Sequence, residues 1–218
     1  MWSVKESTSD RTDWPESPPP PWPAEVRATI WWHRATPVGR ELLPEKDLPV
    51  TVAMVVDYLS SPVGPYREIL ASPVLRRPVR NSGALPRIAV PFIAVDSETS
   101  VHGGRTHWSL PKVLAKFGGD VLTSASAAGE EWEVRTDASG IGPRFPIRGG
   151  LGFAQPVDDE VLLAGARLSG KARLCRVTVG AEGPTLSRWL SSGTHFGLQI
   201  VAGTMTTGPS KLVSGAEV

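Results

Sequence analysis

Ala24-Glu25-Val26-Arg27-Ala28-Thr29-Ile30-Trp31-Trp32-His33-Arg34 and Val50-Thr51-Val52-Ala53-Met54-Val55-Val56-Asp57-Tyr58-Leu59 decide the fold. Both are dense in β-branched and aromatic residues, the types that fit a pleated, packed surface. The second is almost wholly apolar up to Asp57, as expected of a strand buried on both faces. Neither carries the 3.6-residue periodicity of an amphipathic helix. Working outward, Tyr66 to Ala71 reads as a further extended segment after the loop Ser60-Ser61-Pro62-Val63-Gly64-Pro65. Arg87 to Val95 reads as a strand with Pro91 at an edge or bulge. Asp120–Ser126 and Glu131–Thr136 flank Ala127-Ala128-Gly129-Glu130 and predict a hairpin. Leu162–Leu168 with Ala172–Val179 predict a second strand pair, and Phe196–Thr206 a last strand. Short helical turns are expected at Arg40–Lys46, Glu98–Gly104 and Leu186–Leu190.

Composition agrees. Glycine (22) and proline (21) make up about a fifth of the 218 residues, against an ordinary ~12%. Such punctuation favours many short elements and a β-rich domain. With 40% hydrophobic residues the chain can build a core. Residues 1–21, polar to Asp13 and then Pro18–Pro21, read as a disordered Pro/Ser-rich tail. One domain is expected over 22–212, with a C-terminal tail at 213–218.

Charge and motif content exclude several classes. The formal net charge is +1, whereas dedicated nucleic-acid binders carry a marked basic excess. Arg76-Arg77 and Arg80 read as a solvated loop. Cys175 is the single cysteine, so neither a disulfide framework nor a multi-cysteine zinc site is available. His33, His102, His107 and His195 include no H-x-x-x-H pair, and no metal is expected. No phosphate loop, dinucleotide fingerprint, nucleophile elbow or zincin motif is present. Gly140-Ile141-Gly142-Pro143 reads as a turn. The longest run free of Asp, Glu, Lys and Arg, Trp189–Ser210, is too polar to span a membrane. The expectation is a cytoplasmic protein with no membrane or nucleic-acid partner.

One residue invites a chemical reading. Lys112 follows Pro111 and lies among Trp108, Leu110, Val113, Leu114 and Ala115. Desolvation lowers a lysine pKa, and a free amine attacks a carbonyl to form a Schiff base. The alternative is a lysine that snorkels to water.

Gly104-Arg105-x-x-Trp108-x-x-Pro111-Lys112 resembles the signature of the acetoacetate decarboxylase family. Val63-Gly64-Pro65-Tyr66-Arg67-Glu68 resembles the family segment ending in Tyr-x-Glu, and Leu42-Leu43-Pro44-Glu45 lies in one like its early Leu-Pro-Glu segment. Ile200–Pro209 resembles its last strand and Gly-Pro turn, so the resemblance spans residues 24–212 in order. It implies an antiparallel β-barrel or β-cone with the lysine inside. It also implies a cofactor-independent carbon–carbon lyase acting on a small β-oxo acid, with Lys112 as Schiff-base nucleophile and Glu68 as acid–base group. The activation of that family's lysine by desolvation or a neighbouring cation is a worked case of general chemistry.

For Arg105 two roles stand open: a fork for a substrate carboxylate, or a brace for the loop holding Lys112. Trp108 either lines the cavity or fills core. Glu68, without the resemblance, would pair with Arg67 or Arg76 at the surface. The family's second lysine corresponds to Val113, and an ungapped count from Glu68 places Ala53 at a second family glutamate. A family arginine falls near Val26 or Arg27. Acetoacetate itself is therefore expected to be a weak substrate. The iminium would also serve an aldolase or dehydratase, and the rival class is a non-catalytic binder of a hydrophobic carbonyl or lipid-like ligand. A homo-oligomer is compatible with the sequence.

Overall fold

The structure, a computed structural model, describes residues 13–41, 48–76 and 87–214. The expected motif at Leu42–Glu45, most of the Arg40–Lys46 turn, Arg77, Arg80, and residues 1–12 and 215–218 lie outside the described residues.

Strand β1 (Trp22–Arg34) pairs antiparallel with β2 (Val50–Ser60), after a short helix α1 (Pro37–Glu41). β2 turns into β3 (Tyr66–Ser72), with Val56 opposite Glu68 and Tyr58 opposite Tyr66. Then come β4 (Val74–Arg76), β5 (Arg87–Ala89) and β6 (Phe92–Val95). Arg87–Val95 is thus two strands: β5 pairs with β4, and β6 with β3. Pro91, which cannot donate to a ladder, stands between them.

Helix α2 (Glu98–Trp108) is capped by Ser97, whose hydroxyl accepts from the Ser100 amide. It runs four residues past the expected Gly104 and stops at Ser109, which is left-handed at φ 50. β7 (Lys112–Leu114) follows, then β8 (Lys116–Gly119) and β9 (Ser124–Ala128). The predicted hairpin is β9 with the start of β10 (Glu133–Val157). Residues 162–179 do not form a strand pair. They belong to one strand, β11 (Glu160–Glu182), paired along its length with β10. Gly140–Pro143 likewise is no turn but a register shift within β10. The 3₁₀ turn Leu186–Arg188, β12 (Gly193–Thr207) and β13 (Lys211–Ser214) complete the chain.

The protein is mainly β, in one 13-stranded sheet whose main path of ten strands runs β4-β5-β10-β11-β12-β1-β2-β3-β6-β7, with β13 on β11, and β8 and β9 branching from β10. The expected antiparallel pairing holds apart from two parallel contacts, β10 with β5 and β6 with β7. The strand path is not hydrogen-bonded shut among the described residues, yet β7 and β10 line one cavity, so the sheet curls round it. Alternation along the strands sorts side chains to two faces. Ala53, Val55, Ile69, Ala71 and Ala94 enter a core on one face, with Trp31, Trp132 and Leu186. Val26, Val56, Tyr58, Tyr66 and Val95 enter the other. Both faces of β2 are covered, which accounts for its almost wholly apolar sequence up to Asp57. Residues preceding β1 are also held: the Trp22 indole donates to the Pro18 carbonyl at 2.9 Å, and Ser17 bonds His102. Ordered contacts therefore begin ahead of the expected boundary at residue 22. Among the described residues no helix is long and apolar enough to cross a membrane.

Candidate active site

Lys112 opens β7 in register with Ile93 of β6, and both side chains reach the cavity. Three connections set its position. The Arg105 Nε donates to the Lys112 carbonyl at 2.9 Å. The Leu110 amide bonds the Gly104 carbonyl at 3.0 Å and closes the α2–β7 connection. Gly104 itself lies against the lysine stem: a Cβ there would stand 2.4 Å from the Lys112 Cδ. The neighbouring Gly103 receives the Trp22 ring in the same way. These two helical glycines serve close packing, which is why the helix does not end at them.

The Lys112 Nζ donates to Glu68 Oε2 at 2.8 Å and to Ser100 Oγ at 3.0 Å. The Tyr58 hydroxyl donates to the other carboxylate oxygen, Oε1, at 3.2 Å. Tyr58 and Tyr66 stack with centroids 4.2 Å apart, and the Lys112 Nζ lies 5.3 Å from the Tyr66 ring centre. Lys112 is 3% exposed and Glu68 4%, so this is a buried ion pair. Desolvation is the largest influence on Lys112 and acts to lower its pKa. The charge of Glu68, the Tyr66 phenol and hydrogen bonds to both together outweigh it, and the pKa is raised. The direction is opposite to the expected lowering: the buried partners of Lys112 favour its charged form. Burial first, and the Glu68 charge next, keep the Tyr58 phenol protonated well into the alkaline range.

The group sits in a cavity of about 360 Å³ whose lining is chiefly apolar, including Trp22, Met54, Leu70, Ile93, Leu151, Leu198 and Met205. Trp108 also lines it, with its indole donating to the Gly208 carbonyl at 2.9 Å and its ring edge-on to Trp22. Arg105 does not line the cavity. Its guanidinium braces the Lys112 backbone and lies 5.6 Å from the Trp14 ring centre, so of its two expected roles the brace is the one observed.

The two family positions read as lost are seen differently in three dimensions. Ala53 points into the core on the opposite face of β2, away from the cavity. Val52, Met54 and Tyr58 are the β2 side chains in the cavity wall, and none is a carboxylate. Asp57 is held by Arg27 at 2.6 Å on the far side. Val113 packs against the same opposite core as Ala53, so a cation there would not face the Lys112 amine. Val26 enters the core beside Tyr58 and Tyr66, while Arg27 also bonds Asp120.

Sequence reasoning missed Tyr58, Tyr66 and Ser100. Tyr66 was accessible, since residues i and i+2 of a strand share a face and Tyr66 precedes Glu68 by two. Tyr58 and Tyr66 are the chain's two tyrosines, and the strand turn sets them opposite each other. Ser100 carries no local signal. Among the described residues no cluster of His, Cys, Asp or Glu could hold a metal ion.

No family model matches the sequence, and no curated protein matches it. Solved structures do. A structure of acetoacetate decarboxylase superposes with a TM-score of 0.65 at 13% identity, covering 97% of this chain and 96% of that one. The fold is that of acetoacetate decarboxylase. The Legionella pneumophila acetoacetate decarboxylase gives 0.63 at 14% identity, covering 92% and 90%. The enduracididine biosynthesis enzyme MppR, complexed with pyruvate, gives 0.59 at 14% identity, covering 91% and 92%. The acetoacetate decarboxylase-like fold thus accounts for nearly the whole chain, as the resemblance in sequence motifs implied.

Proposed function

We propose that this protein is a Schiff-base enzyme acting on an oxo acid, with decarboxylation of a β-oxo acid as its leading reaction. The observation that carries the reading is the Lys112–Glu68 pair, 2.8 Å apart and buried in an apolar cavity. Glu68 takes a proton from the Lys112 ammonium, and the free amine adds to the substrate carbonyl. The carbinolamine receives the proton back from Glu68 on its hydroxyl, and water leaves. The product is an iminium facing a carboxylate, so the site keeps its charge balance. In a β-oxo acid the bond to the carboxylate then breaks, its electron pair enters the iminium, and CO₂ departs. A proton drawn from solvent adds to the resulting enamine carbon, and hydrolysis of the iminium by one water releases the ketone and restores the Lys112 ammonium. Tyr58 holds the second oxygen of Glu68 throughout, and Ser100 fixes the amine. The same iminium supports C–C addition and loss of water. MppR, similar in fold, has been captured with pyruvate, itself an oxo acid.

The apolar lining supports a second reading, a binder that holds a hydrophobic carbonyl compound without turning it over. Borohydride trapping separates the two. Incubation with a panel of oxo acids and neutral ketones, reduction and intact mass measurement should give an adduct on Lys112 that Lys112→Ala abolishes. Adduct confined to other lysines across the panel refutes imine chemistry and leaves the binder.

A further inference from the structure

The neighbours of Lys112 across the sheet form one apolar row. In successive strand pairings Lys112 stands beside Ile93, Ile93 opposite Leu70, Leu70 opposite Met54, Met54 opposite Ile30, and Ile30 opposite Leu198. Paired residues project from the same face, and all six line the cavity. The row then leaves it: Leu198 is opposite Leu174, and Leu174 opposite Ile141. Exposure rises along the row. Lys112, Ile93 and Leu70 are buried, Met54, Ile30 and Leu198 are half-buried, and Leu174 is 53% and Ile141 42% exposed. The cavity is thus closed round the amine and opens towards Leu198. Trp32 and Phe196, each two residues along its strand from a member of the row, extend the same face and are also exposed.

The wall between these ends suits hydrocarbon. Glu68 and Lys112 are paired with each other. Alternation along β10 turns Arg148 to the face opposite Ile147 and Leu151. A volume of about 360 Å³ equals that of roughly a dozen waters, well beyond a four-carbon oxo acid. Each methylene laid on the row gains the free energy of leaving water. An exposed apolar face continuous with a cavity marks a groove that a ligand longer than the cavity covers. We infer that the row is the track for a hydrocarbon chain, and that the substrate is a β-oxo acid with a long, uncharged alkyl tail. Its carbonyl lies at Lys112, and its tail leaves over Leu198 onto Leu174. That the carbonyl end reacts rests on the Schiff-base reading; the track for the tail does not.

The test uses unreactive probes. The alcohols 1-butanol, 1-hexanol, 1-octanol and 1-decanol are titrated into the full chain, with binding read from tryptophan fluorescence, since Trp22 and Trp108 line the cavity. In wild type each added methylene should tighten binding by about 3–4-fold. Leu198→Asn and Leu174→Ser should each flatten the upper part of the series, weakening 1-decanol relative to 1-butanol by about 4-fold or more. Leu174 is exposed, so its variant keeps the fold. A series with no gain beyond 1-butanol overturns the inference, as does a slope unchanged in both variants. So does self-association of wild type that Leu174→Ser abolishes without altering alcohol binding, which gives the face to a second copy. Borohydride trapping with 2-decanone distinguishes the two proposals. A Lys112 adduct without chain-length dependence leaves the Schiff-base reading standing and the track refuted. Chain-length-dependent binding without any adduct supports the track and refutes imine formation.

Discussion

Replacing Glu68 by Gln removes the charge partner of Lys112 while keeping the side-chain shape. At 2.8 Å the attraction is about 6 kcal/mol for an effective dielectric of about 20. Desolvating each ion costs several kcal/mol, so the intact pair contributes little net stability. Removing one partner strands the other, at a cost of about 3–5 kcal/mol. Glu68→Gln and Lys112→Met should each destabilise by about that much in urea unfolding followed by tryptophan fluorescence. The double variant Glu68→Gln/Lys112→Met should lose much less than the sum of the two, because no charge is left buried. The pH dependence carries a second signature. In the wild type the Lys112 pKa is raised, against burial, by Glu68 and Tyr66. Its contribution is thus fully present below the unfolded lysine value of about 10.4 and is lost as pH rises through the folded pKa. In Glu68→Gln burial acts with little opposition, the folded pKa falls below the unfolded one, and stability rises with pH towards about 10. Single-variant losses that add in the double variant to within about 0.5 kcal/mol, or a Glu68→Gln variant whose stability ignores pH from 7 to 10, would refute the buried ion pair.

Gly104→Ala should displace the Lys112 stem, since the new methyl would sit 2.4 Å from its Cδ. A stability loss of about 1–3 kcal/mol should come with reduced borohydride trapping, and normal trapping would show the stem can shift freely. Release of CO₂ from acetoacetate should stay well below ordinary enzyme rates of about 1–10³ per second, because the cavity face of β2 carries no second carboxylate; full turnover would contradict this. Cys175 is buried and its thiol is pushed up to about 11, chiefly by burial. It should resist disulfide reagents at pH 8 in the folded protein and react on unfolding, and rapid reaction of native protein would place it elsewhere.

Strand β2, which pairs with the Glu68 strand, was legible because both its faces are covered, leaving the sequence from Val50 to Val56 apolar but for Thr51. The β10–β11 ribbon was not. Ser169-Gly170 has the composition of a turn, yet Gly170 sits in mid-strand where a Cβ would meet the Ala202 carbonyl oxygen at 2.3 Å. Glycine there permits backbone approach, and a single sequence cannot separate that use from a turn. Residues 103 and 104 repeat the case within α2. Family spacing located Lys112 and Glu68, 44 positions apart and hydrogen-bonded. It failed for Ala53, because an ungapped count ignores strand alternation: Val56 is paired with Glu68, and Ala53, an odd number of residues away, faces the other side. The protonation state of Lys112 was beyond reach. Its apolar neighbours in sequence predict desolvation, but the opposing charge arrives from another strand.

In the Schiff-base mechanism proposed above, with a single carboxylate on the Lys112 amine, Glu68 is assigned both as base for the amine and as acid for the departing hydroxyl. Those roles follow one another, so one group suffices if it keeps its position while its charge changes. Tyr58 answers that need. Its hydroxyl donates to Glu68 Oε1, while Oε2 alone faces the amine. A proton arriving on Oε2 leaves the Tyr58 bond in place, because Oε1 still accepts. Stacking of Tyr58 on Tyr66 fixes the phenol from the far side, and both rings are buried. In that proposed mechanism the tyrosine pair is a positioning device: it engages one oxygen of the carboxylate and leaves proton exchange to the oxygen 2.8 Å from Lys112.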